Sequence, residues 1–274
     1  MQKGYKVVNW MSALPEPNRA PLARPVLGLV VCQIAVTGGA AKLSTRDAIA
    51  VQERLSAGPV RYSELSPIQR RPFSLQVGPA GLSQGIDPGD TASGFRLVSK
   101  DGNWTVSLFT DALGLDCRQY PGWTAYRSHL SELVTVYAER FAPDGENRLG
   151  LRYINALTNE AAESAVYWKG RVSDSFAGVL SDAQFAPYLT GSFSRTEFTF
   201  DDGLHCATSL TLQPDQAHLG RVAALIDIDV SRGGTRLFEP AITLETADHC
   251  NTRALQVFQA TLTESYLDEL RASS

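Results

Sequence analysis

Phe95-Arg96-Leu97-Val98-Ser99-Lys100-Asp101-Gly102-Asn103-Trp104-Thr105-Val106-Ser107-Leu108 is the stretch on which the fold turns. Two runs of alternating character flank Asp101-Gly102-Asn103, where Asp-Gly readily supplies the positive φ angles of a tight hairpin. The expectation is a strand over Phe95–Lys100 that returns as a strand over Trp104–Cys117. Tyr120-Pro121-Gly122 then punctuates the chain, and an amphipathic helix is expected over roughly Thr124–Phe141. Its apolar residues Tyr126, Leu130, Leu133, Val134, Tyr137 and Phe141 recur at three- and four-residue steps, which puts them on one helical face. Pro143-Asp144-Gly145 breaks this helix, and Arg148–Asn155 reads as a strand with Leu149, Leu151, Tyr153 and Asn155 on one face.

Working outward, Val26–Thr37 is a strand and Ser44 or Thr45 caps a helix over Arg46–Ser56. A short helix is expected at Ser63–Gln69, and the glycine-rich Gly78–Gly94 is expected to be a loop. Downstream, Phe193–Phe200 and Leu204–Leu212 are strands joined at Asp201-Asp202-Gly203. Val222–Val230 is a third strand, ended by Arg232-Gly233-Gly234. A single terminal helix, about Leu244–Leu270, carries Leu255, Phe258, Leu262, Tyr266 and Leu270 on one stripe. The pattern predicts an α+β fold with antiparallel sheets in two similarly built halves, each covered by a long amphipathic helix. Residues 26–157 form the first half and 158–274 the second, packed tightly together behind an N-terminal arm over 1–25. Residues 1–10 read as an extension, since Met11-Ser12-Ala13 is a plausible start.

Composition narrows the function classes. At 274 residues with 43% hydrophobic and 20% charged side chains, the chain can bury a substantial core. A formal charge of −4 disfavours a dedicated nucleic-acid binder, which needs a net basic face. Cys32, Cys117, Cys206 and Cys250 are too dispersed to be a disulfide framework, so reduced thiols and a cytoplasmic location are expected. The apolar run Pro25–Val36 has a signal-peptide flavour, but Gln33 interrupts it and prolines at 15, 17, 21 and 25 precede it. A buried strand is the better reading, and the run is too short to span a membrane.

The order of segments also resembles a sporadically distributed, uncharacterised family of bacterial proteins of about this length. The resemblance rests on Phe95–Gly102, Tyr120-Pro121-Gly122-Trp123, Leu149-Gly150-Leu151-Arg152-Tyr153-Ile154-Asn155 and Leu225-Ile226-Asp227-Ile228-Asp229. It covers most of the chain from about Pro21, with Gly-Leu-Arg-Tyr-Ile-Asn its most specific segment. It implies no activity, cofactor or catalytic residue. A patchy distribution would suit an accessory to a bacterial defence or mobile-element system.

Several motifs carry possible chemistry. Gly81-Leu82-Ser83-Gln84-Gly85 has the spacing of a nucleophile elbow but lacks the strand–turn–helix context that exposes such a serine. His205-Cys206 and His249-Cys250 are the candidate metal ligands, His205, His249 and Cys250 foremost, yet neighbours on a strand point to opposite faces and no ligand spacing supports them. Asp227 and Asp229 share one strand face, as acids of a metal-dependent hydrolase or nuclease would, but the solvated face of an edge or one-sided sheet is the commoner explanation. Arg152 interrupts an apolar strand, so a buried guanidinium paired with Asp227 or Asp229 is expected, with an anion- or partner-binding arginine as the alternative. Asn103-Trp104-Thr105 is a glycosylation sequon that reads as chance. Trp104, Tyr120, Trp123 and Tyr126 cluster around the hairpin and helix entry, as an aromatic recognition surface or as core.

The catalytic patterns lack partners, so the expectation is a non-catalytic binding or assembly factor. It would take a protein or peptide partner and need no cofactor, using Trp104, Tyr120, Trp123, Tyr126 and Arg152. Open sheet edges also allow a homo-oligomer. The rival is a metal-dependent hydrolase or nuclease using Asp227 and Asp229 with Arg152.

Overall fold

A computed structural model describes residues 14–39, 42–70, 73–78, 81–86, 92–215 and 218–272. Met1–Trp10, read above as an extension, lies outside the described residues. In chain order the elements are β1 (Leu27–Thr37), α1 (Thr45–Ser56), β2 (Tyr62–Arg70), β3 (Phe73–Gly78), β4 (Gly81–Ile86), β5 (Ala92–Ser99), β6 (Trp104–Leu108) and β7 (Ala112–Cys117). They continue with α2 (Trp123–Phe141), β8 (Gly145–Leu157), α3 (Asp174–Ala177), β9 (Ser192–Thr199), β10 (His205–Pro214), β11 (Val222–Leu237), α4 (Pro240–Thr261) and α5 (Glu264–Arg271).

The α+β class and antiparallel pairing hold, but the strands of both halves meet in one sheet instead of two. Nine strands run in the order β2-β5-β6-β7-β1-β8-β11-β10-β9, and β3-β4 form a separate hairpin. The seam between the halves is the β8–β11 ladder, in which Leu151 faces Val230 and Tyr153 faces Ile228. The halves are unequal: among the described residues of 158–274, β9, β10 and β11 are the strands added to the sheet.

Alternation explains why the helices share one side. Val30, Cys32, Ile34 and Val36 of β1, Leu149, Leu151 and Tyr153 of β8, and Ile226, Ile228 and Val230 of β11 are all buried. α4 packs on β8 and β11, α2 on β7 and α4, and α1 on β2, β5 and α2. Each fully buried leucine contributes roughly 2 kcal/mol. Tyr126 and Tyr137 fasten α2 to the sheet by donating their hydroxyls to the carbonyls of Leu115 (2.7 Å) and Phe109 (2.8 Å). α1 begins with a capping box: Asp47 N–H donates to Ser44 Oγ (3.2 Å) while Ser44 N–H donates to Asp47 Oδ2 (3.0 Å).

Local departures from the sequence reading have local causes. Ser63–Gln69 is not a helix but part of β2, zipped to β5 with Pro67 opposite Phe95; proline is tolerated because β2 is an edge strand. Gly78–Gly94 includes β4 and the start of β5, not only loop. Trp104–Cys117 is two strands, because Phe109 N–H bonds Ala112 C=O and closes a second tight turn. β11 runs on past Gly233-Gly234 to Leu237, with a register shift between Gly233 and Arg236. The terminal helix breaks at Leu262-Thr263, where Ser173 N–H bonds Thr261 C=O and Thr263 N–H bonds Arg171 C=O.

Candidate functional site

The helix-covered face of the sheet does not close completely. Where α2 begins, a cavity of about 1000 Å³ opens between the sheet, α4 and the N-terminal arm. Tyr153, Asn155 and Ile228 form its floor, Asn251, Ala254, Leu255 and Phe258 of α4 one wall, and Tyr120 and Trp123 the other. Leu22 and Pro25 of the arm, with Val26 and Leu27 where the chain enters β1, complete the lining.

The arm is an extended strap held by hydrogen bonds. Asn18 and Gln259 bond reciprocally, the Asn18 N–H donating to Gln259 Oε1 (3.0 Å) and Gln259 Nε2 donating to the Asn18 carbonyl (2.6 Å). Gln256 Nε2 donates to the Pro15 carbonyl (3.0 Å), and Arg24 N–H to the Leu270 carbonyl (3.1 Å). Prolines suit such a strap because they fix φ and need no donor partner.

Two of the sequence-predicted aromatics line the cavity and two stand behind it. Trp123 Nε1 donates to Asp248 Oδ1 (2.8 Å), which also accepts from Arg127 Nε (2.7 Å), so the indole is pinned to α4. Trp123 stacks on Tyr126, Tyr126 stacks on Trp104, and Tyr120 meets Tyr153 edge-on at 6.0 Å. Tyr126 is fully buried and Trp104 is 7% exposed, so these two support the wall without forming a surface. Burial pushes the Tyr120 phenol up to about 12. Gly122, with φ +99°, makes the turn from Tyr120 into α2 in a region L side chains rarely adopt.

The loop carrying Tyr120 is set by a residue that sequence reasoning passed over. Asn103 Oδ1 accepts from the N–H groups of Arg118 (3.1 Å) and Gln119 (2.5 Å), and its Nδ2 donates to the Gln119 carbonyl (3.2 Å). The sequon asparagine is therefore a clamp between the β5–β6 turn and the cavity rim. Behind the same aromatics, His129 lies 4% exposed, with Nε2 2.6 Å from the Tyr62 hydroxyl and its ring edge-on to Trp104. Burial lowers its pKa to about 4, which keeps it neutral.

Polar groups in the cavity are few. Tyr153 donates its hydroxyl to Asn251 Oδ1 (2.7 Å), and Asn155 Nδ2 donates to the Ile226 carbonyl (3.2 Å). Asn155 and Asn251 are each 6% exposed, yet among the described residues Asn155 Oδ1 and Asn251 Nδ2 have no partner. Arg19 and Arg118 stand at the rim, and among the described residues no Asp or Glu lines the cavity.

Arg152, Asp227 and Asp229 lie on the opposite, open face of the sheet. Arg152 is not buried, its side chain being 49% exposed: the strand alternation sends it to solvent. It grips Asp227 with both nitrogens, Nε to Oδ1 at 2.8 Å and Nη2 to Oδ2 at 2.5 Å. Arg148 reaches Asp229 at 3.2 Å by lying across Gly150, where a side chain would collide with its guanidinium. Each carboxylate is thus already neutralised by an arginine, and a metal ion would have to displace both guanidinium groups.

The remaining candidates do not converge. His205 sits on the open face 3.7 Å from Glu197, while Cys206 points into the core; His249 is exposed and Cys250 buried. Among the described residues no three His, Cys, Asp or Glu side chains are grouped to hold a metal. All four thiols are free and buried, and burial raises Cys117 to about 11 and Cys206 and Cys250 to about 12. Ser83 lies within β4 opposite Gln76, in a hairpin strand and not on a strand-to-helix turn. No helix among the described residues is long and apolar enough to cross a membrane. Compared with the models of known protein families and with curated proteins, the chain matches none.

Proposed function

We propose that the protein is a non-catalytic binding factor that takes up a peptide segment of a partner protein in the cavity beneath the N-terminal strap. The observation that carries this reading is the cavity itself: about 1000 Å³, walled by Tyr120, Trp123, Leu255 and Phe258 and floored by two side-chain amides that each have one atom without a partner among the described residues. That volume is at the upper end for enclosed ligand sites. Rigid aromatic walls favour a bulky apolar anchor, because they lose little conformational freedom on contact.

The floor favours a peptide over a hydrocarbon. Asn155 Oδ1 needs a donor and Asn251 Nδ2 an acceptor, and a peptide group brings both. A purely apolar occupant would strip water from these two groups without replacing it, at roughly 1–3 kcal/mol each. The strap's own hydrogen bonds to α4 run along one side of the opening, so a segment enters at the Arg118–Trp123 rim.

The test is a photo-crosslinker, p-benzoylphenylalanine, placed at Leu255 of the intact chain in its native cell. A crosslinked peptide that maps to one apolar segment of another protein is the expected product. Crosslinks confined to small molecules, or spread over unrelated proteins as in a solvent-exposed control position, would overturn the reading.

A further inference from the structure

The rim of the cavity is charged in one sense only. Arg19 and Arg118 contribute guanidinium groups and, among the described residues, no carboxylate lines the walls; Asp248, which accepts from the Trp123 indole, is paired with Arg127. Arg19 is held beside the cavity, its Nη2 donating to Thr252 Oγ1 at 2.9 Å, and its other donors have no partner among the described residues. Arg118 is exposed, and its main chain is fixed by Asn103. Among the described residues its guanidinium has no hydrogen-bonded or ion-paired partner, and Asp116, the carboxylate it acts on electrostatically, makes no ion pair with it.

Resting on the peptide-binding reading above, we infer that the segment this cavity takes carries a carboxylate next to its bulky apolar anchor. The anchor occupies the space between Trp123, Leu255 and Phe258, and the carboxylate sits at the rim between Arg118 and Arg19. The carboxylate is an Asp or Glu side chain or a chain terminus; all three present the same planar pair of oxygens to a guanidinium fork. Selectivity follows from the missing acids: a basic segment meets two arginines and finds no compensating charge, so it is rejected although its apolar anchor fits.

A displayed random-peptide library, selected on the full chain and counter-selected on Leu255→Arg, tests this. Recovered peptides are resynthesised with each acid replaced by its amide and titrated into the wild-type protein and Arg118→Gln. Among the described residues the Arg118 guanidinium has no hydrogen-bonded or ion-paired partner, so this variant keeps its melting temperature, and Arg19→Gln serves as the second. The expected result is enrichment of apolar-acidic peptides, with amide replacement weakening wild-type binding by about tenfold but Arg118→Gln binding by less than about twofold. Affinity for the wild type should fall with added salt, and less so for the variant. Neutralised peptides that bind the wild type as tightly as the acidic ones would overturn the acidic requirement while leaving peptide binding intact. No enrichment over Leu255→Arg would instead overturn the peptide-binding reading itself.

Discussion

At the scale of single residues, the segment Gly150-Leu151-Arg152-Tyr153-Ile154-Asn155 shows how strand alternation divides one stretch between two roles. Tyr153 and Asn155 floor the cavity, whereas Arg152 and the Arg148 that crosses Gly150 build ion pairs on the far face. Since Arg152 is half exposed, Arg152→Ala should cost no more than about 1 kcal/mol in urea unfolding, and a much larger loss would restore the buried role that its apolar neighbours suggest. Asn103 is the opposite case: an unremarkable sequon residue that satisfies three groups of the rim. Asn103→Ala should destabilise by about 1–3 kcal/mol and loosen Tyr120, seen as faster amide exchange at Arg118 and Gln119. His129 makes stability depend on pH. Its folded pKa, about 4, lies below the unfolded value, so the unfolded chain takes up a proton first and stability falls as pH drops from about 6.5 to about 4. The loss reaches on the order of 3 kcal/mol. A His129→Phe variant should show a flatter unfolding midpoint over that window; an unchanged slope would assign the dependence to other groups.

At the scale of elements, much was legible where a single segment carries its own signal. The Asp101-Gly102-Asn103 turn, the stripe of α2 and the alternation of β1 and β8 each appear as read, because caps, turns and periodicity are local. The break between α4 and α5 was hidden, since the apolar stripe continues through Leu262 and only contacts with residues 171–173 interrupt the helix. The strap was hidden too: an extended proline-rich arm has no periodicity, and its partners Gln256 and Gln259 lie more than two hundred residues away. Its hold can be checked directly. Gln259→Ala removes both bonds to Asn18, so amide exchange at Asn18 should rise by about tenfold while α4 keeps its protection. Unchanged exchange at Asn18 would mean that the strap is held by its apolar contacts alone.

At the scale of the whole molecule, one sheet in place of two is the consequence that no local reading delivers. The two ladders of β8, to β1 and to β11, join residues far apart in sequence, and the same alternating strands would satisfy two smaller sheets equally well. Half of the site shared this fate. Tyr120 and Trp123 announced themselves as aromatics at a Pro-Gly entry, while Asn155, Asn251 and Leu255 become neighbours only once α4 lies across the joined sheet. The joined core also covers all four thiols, so a thiol-specific reagent at pH 8 should modify none of them in the native protein and all four after denaturation. Rapid labelling of any one would show that the core opens there. Whether the cavity under the strap is the binding site is decided by calorimetric titration of one library-selected peptide into the wild type and into Leu255→Arg, with melting temperatures matched. Saturable binding to the wild type and none to Leu255→Arg is the predicted result, and equal affinity for both would place the binding surface elsewhere.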